Sequence, residues 1–149
     1  MRPSAHIIVS FSLGTVFGFL TKSVYAGLLC LVSGNLPDLD HVIEYIIHHG
    51  VRNFTVKNML EACEQTTQRK GDLRFNKLYL VFHSCELAIF LCVAAVYTKN
   101  VYIAAAAIGY SSHIILDYIG NDVTPLSYFM LWRATVGFDT GRLINDGKS

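Results

Sequence analysis

Four long apolar runs along the chain fall into two pairs, each pair joined by a short polar break. Ala5 to Leu20 and Val24 to Leu36 make a first pair, joined by Thr21, Lys22 and Ser23. Leu78 to Tyr97 and Val101 to Ile119 make a second, joined by Thr98, Lys99 and Asn100. Connections this short make each pair an antiparallel helical hairpin. Leu78–Tyr97 is the strongest single candidate for a spanning helix, because it meets the roughly 20-residue length a bilayer requires. Val101–Ile119 is the second strong candidate, and its alanines at 104–107 allow close helix packing. The first pair is shorter and is expected to tilt, extend into the interface or form a re-entrant hairpin. His6 interrupts the start of what a signal peptide would use as its apolar region, so the first run is read as an uncleaved membrane segment.

The pattern changes between the pairs. His41 to His49 reads as helix, and Val51 to Phe54 breaks it. Thr55 to Gln68 repeats Val56, Met59, Leu60 and Cys63 at helical spacing, which predicts an amphipathic helix. Residues 69–77 are polar. A last apolar run within residues 123–138 carries Arg133 and predicts a short or interfacial helix. The expected fold class is all-α. It is a multi-pass helical membrane protein of two hairpins, an amphipathic connection and a short C-terminal hydrophobic helix, forming a single domain over residues 1–149.

Composition points the same way. Of 149 residues, 52% are hydrophobic and 15% charged, against roughly 25% charged in soluble domains. A net charge of +1 with no basic stripe excludes a nucleic-acid partner. Cys30, Cys63, Cys85 and Cys92 form no CxxC pair and read as small apolar fillers. There is no P-loop, dinucleotide fingerprint, GxSxG elbow or HExxH.

The polar residues that remain are placed by the hairpins. Each hairpin returns to the face it left, so His6 meets the Pro37–Asp38–Leu39–Asp40–His41 block, and His83 with Glu86 meets His113 with Asp117. A connection that does not span brings all of them to one depth. Asp38 and His41 are three apart, as are His83 and Glu86; His113 and Asp117 are four apart, so each pair shares a helix face. Neutral imidazoles and carboxylates suit divalent metals. A cation would also offset carboxylates that are costly to bury. The candidate ligands are His6, Asp38, His41, His83, His113 and Asp117. Asp40 ligates or orients a histidine. Glu86 is the candidate for proton transfer, and these two are the candidate catalytic groups. His48 and His49 read as structural. The aromatics, Tyr110 among them, read as lipid-facing or interfacial. Gly14 and Gly18 form a GxxxG match suited to close helix contact.

These residues resemble the family of predicted membrane-bound metal-dependent hydrolases related to the LexA-regulated inner-membrane hydrolase group. The resemblance is carried by His6, GNLPDLDH at 34–41, His83–Ser84, GYSSHIILD at 109–117 and IGNDVTPL at 119–126. It implies a multi-pass helical protein with a metal-dependent hydrolytic centre. On it, Asp38, Asp40 and His41 match the acidic block, His83 the middle histidine, His113 and Asp117 the last pair, and His6 the N-terminal histidine. The His-Arg pair that often precedes the middle histidine in that family has no counterpart here. Zinc is favoured by the number of histidines, with manganese the alternative. The expected partners are membrane lipid and a small-molecule or lipid substrate, a phosphoester or phospholipid-like compound before an amide. A non-catalytic metal-binding membrane scaffold and a small ion or solute transporter are the rival readings.

Charge orients the chain. Arg52, Lys57, Arg69, Lys70, Arg74 and Lys77 lie in the connection and Arg2 at the same side, against Lys22 and Lys99 in the opposite turns. The positive-inside rule then puts the site on the cytoplasmic face of a plasma or inner membrane.

Overall fold

In the computed structural model, which describes residues 3–68, 70–121 and 123–144, the chain is all-helical, with no strand among the described residues. Arg2, Arg69 and Asp122, used above in the charge and motif arguments, lie outside those residues. Packing divides the chain into two compact units. One runs to Asp38 and resumes over Phe82–Asn121; the other comprises Leu39–Val81 and the chain from residue 122 onward.

The first unit contains α1 (Pro3–Thr21), α2 (Val24–Asn35), a 3₁₀ turn (Leu36–Asp38), α5 (Cys85–Thr98) and α6 (Val101–Gly120). The short links are built by caps. Lys22 reverses the chain at φ 52° and Ser23 caps α2 by accepting from the Ala26 N–H. Lys99 takes the left-handed conformation, and the Asn100 side chain accepts from Tyr102 N–H at 2.8 Å to start α6. Both predicted hairpins are therefore present. The core between α1, α2 and α6 is made of small residues, Ala26, Cys30 and Ala105, flanked by Leu13 and Phe17. Gly14 and Gly18 meet Gly27 across α1 and α2, so this GxxxG match serves contact within the chain. A Cβ on Gly27 would stand 2.6 Å from the Gly14 carbonyl oxygen. Large apolar side chains point outward instead, among them Phe19, Leu20, Tyr25, Val96 and Tyr97.

Among the described residues, two helices are long and apolar enough to cross a membrane: Ser4–Thr21 of α1, mean hydropathy 1.5, and α6, mean hydropathy 1.2. α6 follows the predicted run to within a residue. The other strong candidate does not. Of Leu78–Tyr97, the helix takes only the part from Cys85, so α5 has 14 residues. At 1.5 Å per residue that is about 21 Å, short of the ~30 Å hydrocarbon core. Hydropathy sees apolar side chains but not the backbone. Ser84 is extended (φ −128°, ψ 122°) and caps α5, and the residues before it bond elsewhere.

The bonds of Leu78, Tyr79 and Leu80 belong to the second unit. It contains α3 (Leu39–His49), a 3₁₀ turn (Val51–Asn53), α4 (Val56–Thr67), a 3₁₀ turn (Pro125–Tyr128), α7 (Met130–Thr135) and α8 (Thr140–Leu143). Tyr79 N–H donates to Glu44 Oε1 on α3 at 3.1 Å. The buried Arg133 on α7 donates through Nη1 to the Tyr79 and Leu80 carbonyls, each at 2.8 Å. The core is Tyr45, Ala62 and Phe75, with Phe54, Met59, Cys63, Leu73 and Leu78 against it. The buried face of α4 is thus Met59, Ala62, Cys63 and Thr66, whereas Val56 and Leu60 of the predicted apolar stripe are exposed. His48 and His49 are structural. His49 Nε2 donates to the Leu73 carbonyl at 2.9 Å, and His48 Nε2 lies 3.1 Å from the Lys77 carbonyl and 3.3 Å from Glu44 Oε1.

Burial pushes the Glu44 carboxyl above its ordinary value of 4.5, against the lowering pull of Tyr79 N–H and His48. A group raised in this way contributes stability that is present below its unfolded pKa and lost as pH rises through its folded one. Glu44→Gln keeps an acceptor for Tyr79 N–H and removes the titration. Thermal unfolding across pH should show a flatter decline above the ordinary glutamate value in Glu44→Gln than in the native chain. Parallel profiles would assign that decline to another group.

Candidate metal centre

One stripe of α6 supplies the heart of the site. Tyr110, His113 and Asp117 recur at spacings of three and four, so they lie on one helix face, and all three are buried. His83 comes from the extended stretch before α5, His6 from the first turns of α1, and Asp38 from the end of the 3₁₀ turn after α2.

The hydrogen bonds decide which atoms are free. His113 Nδ1 lies 2.9 Å from the Gly34 carbonyl, which can only accept. Nδ1 therefore carries the proton, and in the neutral ring Nε2 presents a lone pair to the site. Asp117 Oδ1 accepts from Asn121 Nδ2 and from His6 Nε2, both at 3.1 Å. That leaves Oδ2. His83 Nε2, His113 Nε2 and Asp117 Oδ2 then form a triangle whose three sides are each 3.3 Å.

A lone pair of His113 facing a carboxylate oxygen is repulsive unless a cation lies between them. A proton is one such cation, but charge-assisted N–H···O bonds draw in to about 2.7–2.9 Å. A four-coordinate metal with bonds of about 2.0–2.1 Å sets its ligand atoms about 3.3 Å apart. The triangle matches the second distance. This buried His/Asp group can hold a metal ion.

A second trio, His6, Asp38 and His113, also brings ligand atoms within 4.8 Å of one another. His6 stacks on His113 with ring centroids 4.1 Å apart, and its Nδ1 is buried without a hydrogen-bond partner among the described residues. These two trios share His113, whose single lone pair serves one ion. Asp38 Oδ1 is 3.8 Å from His113 Nε2, and the Asp38 side chain is 32% exposed where His83, His113 and Asp117 are at most 6% exposed. Asp38 is thus the solvent-touching member of the cluster.

Of the sequence candidates, His6, Asp38, His83, His113 and Asp117 come together here. Asp40 and His41 are on α3 in the second unit, where Asp40 is buried and His41 Nδ1 lies 3.7 Å from Cys63 Sγ. Glu86 does not share a helix face with His83, because α5 begins only at Cys85. Its Oε2 accepts from the capping Ser84 Oγ at 2.8 Å, and it joins none of the ligand trios among the described residues. Two contributors were not foreseen. The Gly34 carbonyl, being backbone, leaves no mark in the sequence. Tyr110, read as an interfacial aromatic, is buried, and its one signal was its place three residues before His113.

Comparison with known proteins returns no match: no family model fits the chain, and neither a curated protein nor a solved structure matches it.

Proposed function

We propose that this chain is a membrane-embedded, metal-dependent hydrolase whose centre takes a divalent metal, with zinc preferred. The observation that carries the reading is the 3.3 Å triangle of His83 Nε2, His113 Nε2 and Asp117 Oδ2, buried beside the partly exposed Asp38. Two neutral imidazoles and a carboxylate are a ligand set that would suit zinc. When bound, such an ion supplies Lewis acidity and makes water a nucleophile near neutral pH. The chain's own residues do the rest. The Gly34 carbonyl holds His113 in the tautomer that ligates. Asp38, partly exposed and next to the cluster, accepts the proton of the attacking water and returns it to the leaving group.

The resemblance carried by His6, GNLPDLDH at 34–41, His83–Ser84, GYSSHIILD at 109–117 and IGNDVTPL at 119–126 supports hydrolysis over storage of the ion. Exposed Ile7, Ile8, Ile115, Tyr118 and Ile119 flank the helix ends that carry His6 and Asp117, which favours a phosphoester with an apolar, lipid-like part. Placement of α1 and α6 across a plasma or inner membrane, with the centre toward the cytoplasm, follows from their apolar length and from Arg52, Lys57, Lys70, Arg74 and Lys77 against Lys22 and Lys99.

The test is a panel of phosphomonoesters, phosphodiesters, phospholipids and amides offered to zinc-loaded protein in detergent. Turnover of a phosphoester, abolished by chelation, is the expected result. Asp38→Asn should retain zinc and lower kcat about 10²–10⁴-fold. Zinc held without turnover on any member would favour the scaffold. Cation flux in vesicles would favour the transporter.

A further inference from the structure

His83 is the one member of the triangle that no helix holds. Regular backbone fixes His113 and Asp117, while the residues around His83 form turns and an extended cap. A ligand on irregular backbone needs another anchor if three atoms are to stay 3.3 Å apart. The Tyr110 hydroxyl supplies it. It donates to the Phe82 carbonyl, the peptide group directly before His83. It accepts from the Ser84 N–H, directly after His83, at 3.1 Å, and the Ser84 carbonyl is at 3.1 Å as well. One oxygen thus grips the chain on both sides of a single residue.

The neighbouring bonds make this grip specific. Ser84 Oγ is committed to α5, accepting from Leu87 N–H at 3.3 Å and donating to Glu86 Oε2. The Ser84 side chain therefore orients the helix that follows, and Tyr110 bonds the main chain on both sides of His83. Tyr110 is 1% exposed and His83 1% exposed, so water cannot substitute for the hydroxyl. Tyr110 also stands one turn before His113 on the same stripe of α6. The helix that presents two ligands directly sets the third through this side chain.

We infer that Tyr110 is a positioning residue that holds His83 in ligating register with His113 and Asp117. This rests on the reading of the triangle as a metal centre. Tyr110→Phe keeps the ring and its packing and removes only the oxygen. The experiment compares Tyr110→Phe with the native chain in detergent by two readouts. The first, on metal-free protein, is the reactivity of each histidine toward diethylpyrocarbonate, mapped by mass spectrometry. The second is zinc affinity by competition with a chelating dye.

The expected result is that His83 becomes reactive in Tyr110→Phe while His6 and His113 stay protected, and that zinc affinity falls about 10–100-fold, the usual effect of losing a partner that orients a ligand. The fall in affinity should vanish when both proteins also carry His83→Ala. His83 remaining protected, or all three histidines becoming reactive together, would overturn the inference, the second because it reports general loosening. A native chain that takes up no zinc would overturn the metal reading alone, since the reactivity pattern still decides what Tyr110 does.

Discussion

Asp117→Asn protein, purified in detergent and supplied with zinc, should carry almost no metal, and His113→Ala should behave alike. Loss of a partner that only orients a ligand costs about 10–100-fold in affinity, and in the proposed centre Asp117 Oδ2 and His113 Nε2 would be ligand atoms themselves. Asp117→Asn is the sharper variant because it keeps the shape. Its amide can still accept through Oδ1 from Asn121 Nδ2 and His6 Nε2, the two bonds that hold that oxygen at 3.1 Å. What it removes is the charge at Oδ2, 3.3 Å from both His83 and His113. Metal bound to the native chain should raise its stability by about 2.7 kcal/mol at a free concentration a hundredfold above Kd. The same addition should leave the melting of Asp117→Asn unmoved. Elemental analysis and melting curves with and without zinc check this together. Native protein that shows neither uptake nor a shift, while folded, would remove the basis of the hydrolase reading.

The second large effect is expected at a residue with no side chain. Gly109 lies where α6 crosses α2, and a Cβ there would run into the Cys30 carbonyl and Ser33 Oγ. Backbone cannot rotate aside as a side chain can, so Gly109→Ala must push the two helices apart. Overpacking of this kind typically costs about 1–3 kcal/mol. The displacement also reaches the site, because α2 leads to the Gly34 carbonyl that fixes the His113 ring. Gly109→Ala should therefore lose both stability and zinc affinity, although residue 109 touches no ligand atom. Ile108→Ala, one position away on the exposed side of α6, should stay within about 0.5 kcal/mol of the native chain. Equal behaviour of the two variants would mean that the close crossing of α2 and α6 is not what holds the centre.

Both predictions depend on α6, and much of α6 was legible in the chain. Its apolar run, the Asn100 cap and the four-residue spacing of His113 and Asp117 are local features, and local features are what periodicity and capping rules read. The same holds for the links at Lys22 and Lys99, where three-residue connections force the helices to return. His6 and Asp38 could be brought near each other from that return alone.

Tertiary structure decided what the apolar pattern could not. The run from Leu78 is apolar enough to be helix, yet it stays irregular to His83. Its backbone groups bond to Glu44, Arg133 and Tyr110, which are from 26 to 54 residues distant in sequence. Hydropathy sums transfer preferences of side chains; it carries no record of where a carbonyl or N–H finds its partner. That same irregular stretch separates Glu86 from the helical face it was expected to share with His83. The free nitrogen of His113 was equally beyond the sequence, since it is set by a backbone oxygen 79 residues away. Residue types and spacing thus determined that histidines and aspartates collect at the ends of apolar helices. Long-range hydrogen bonds to backbone, and close approach of glycines, decided which of their atoms face one another at 3.3 Å.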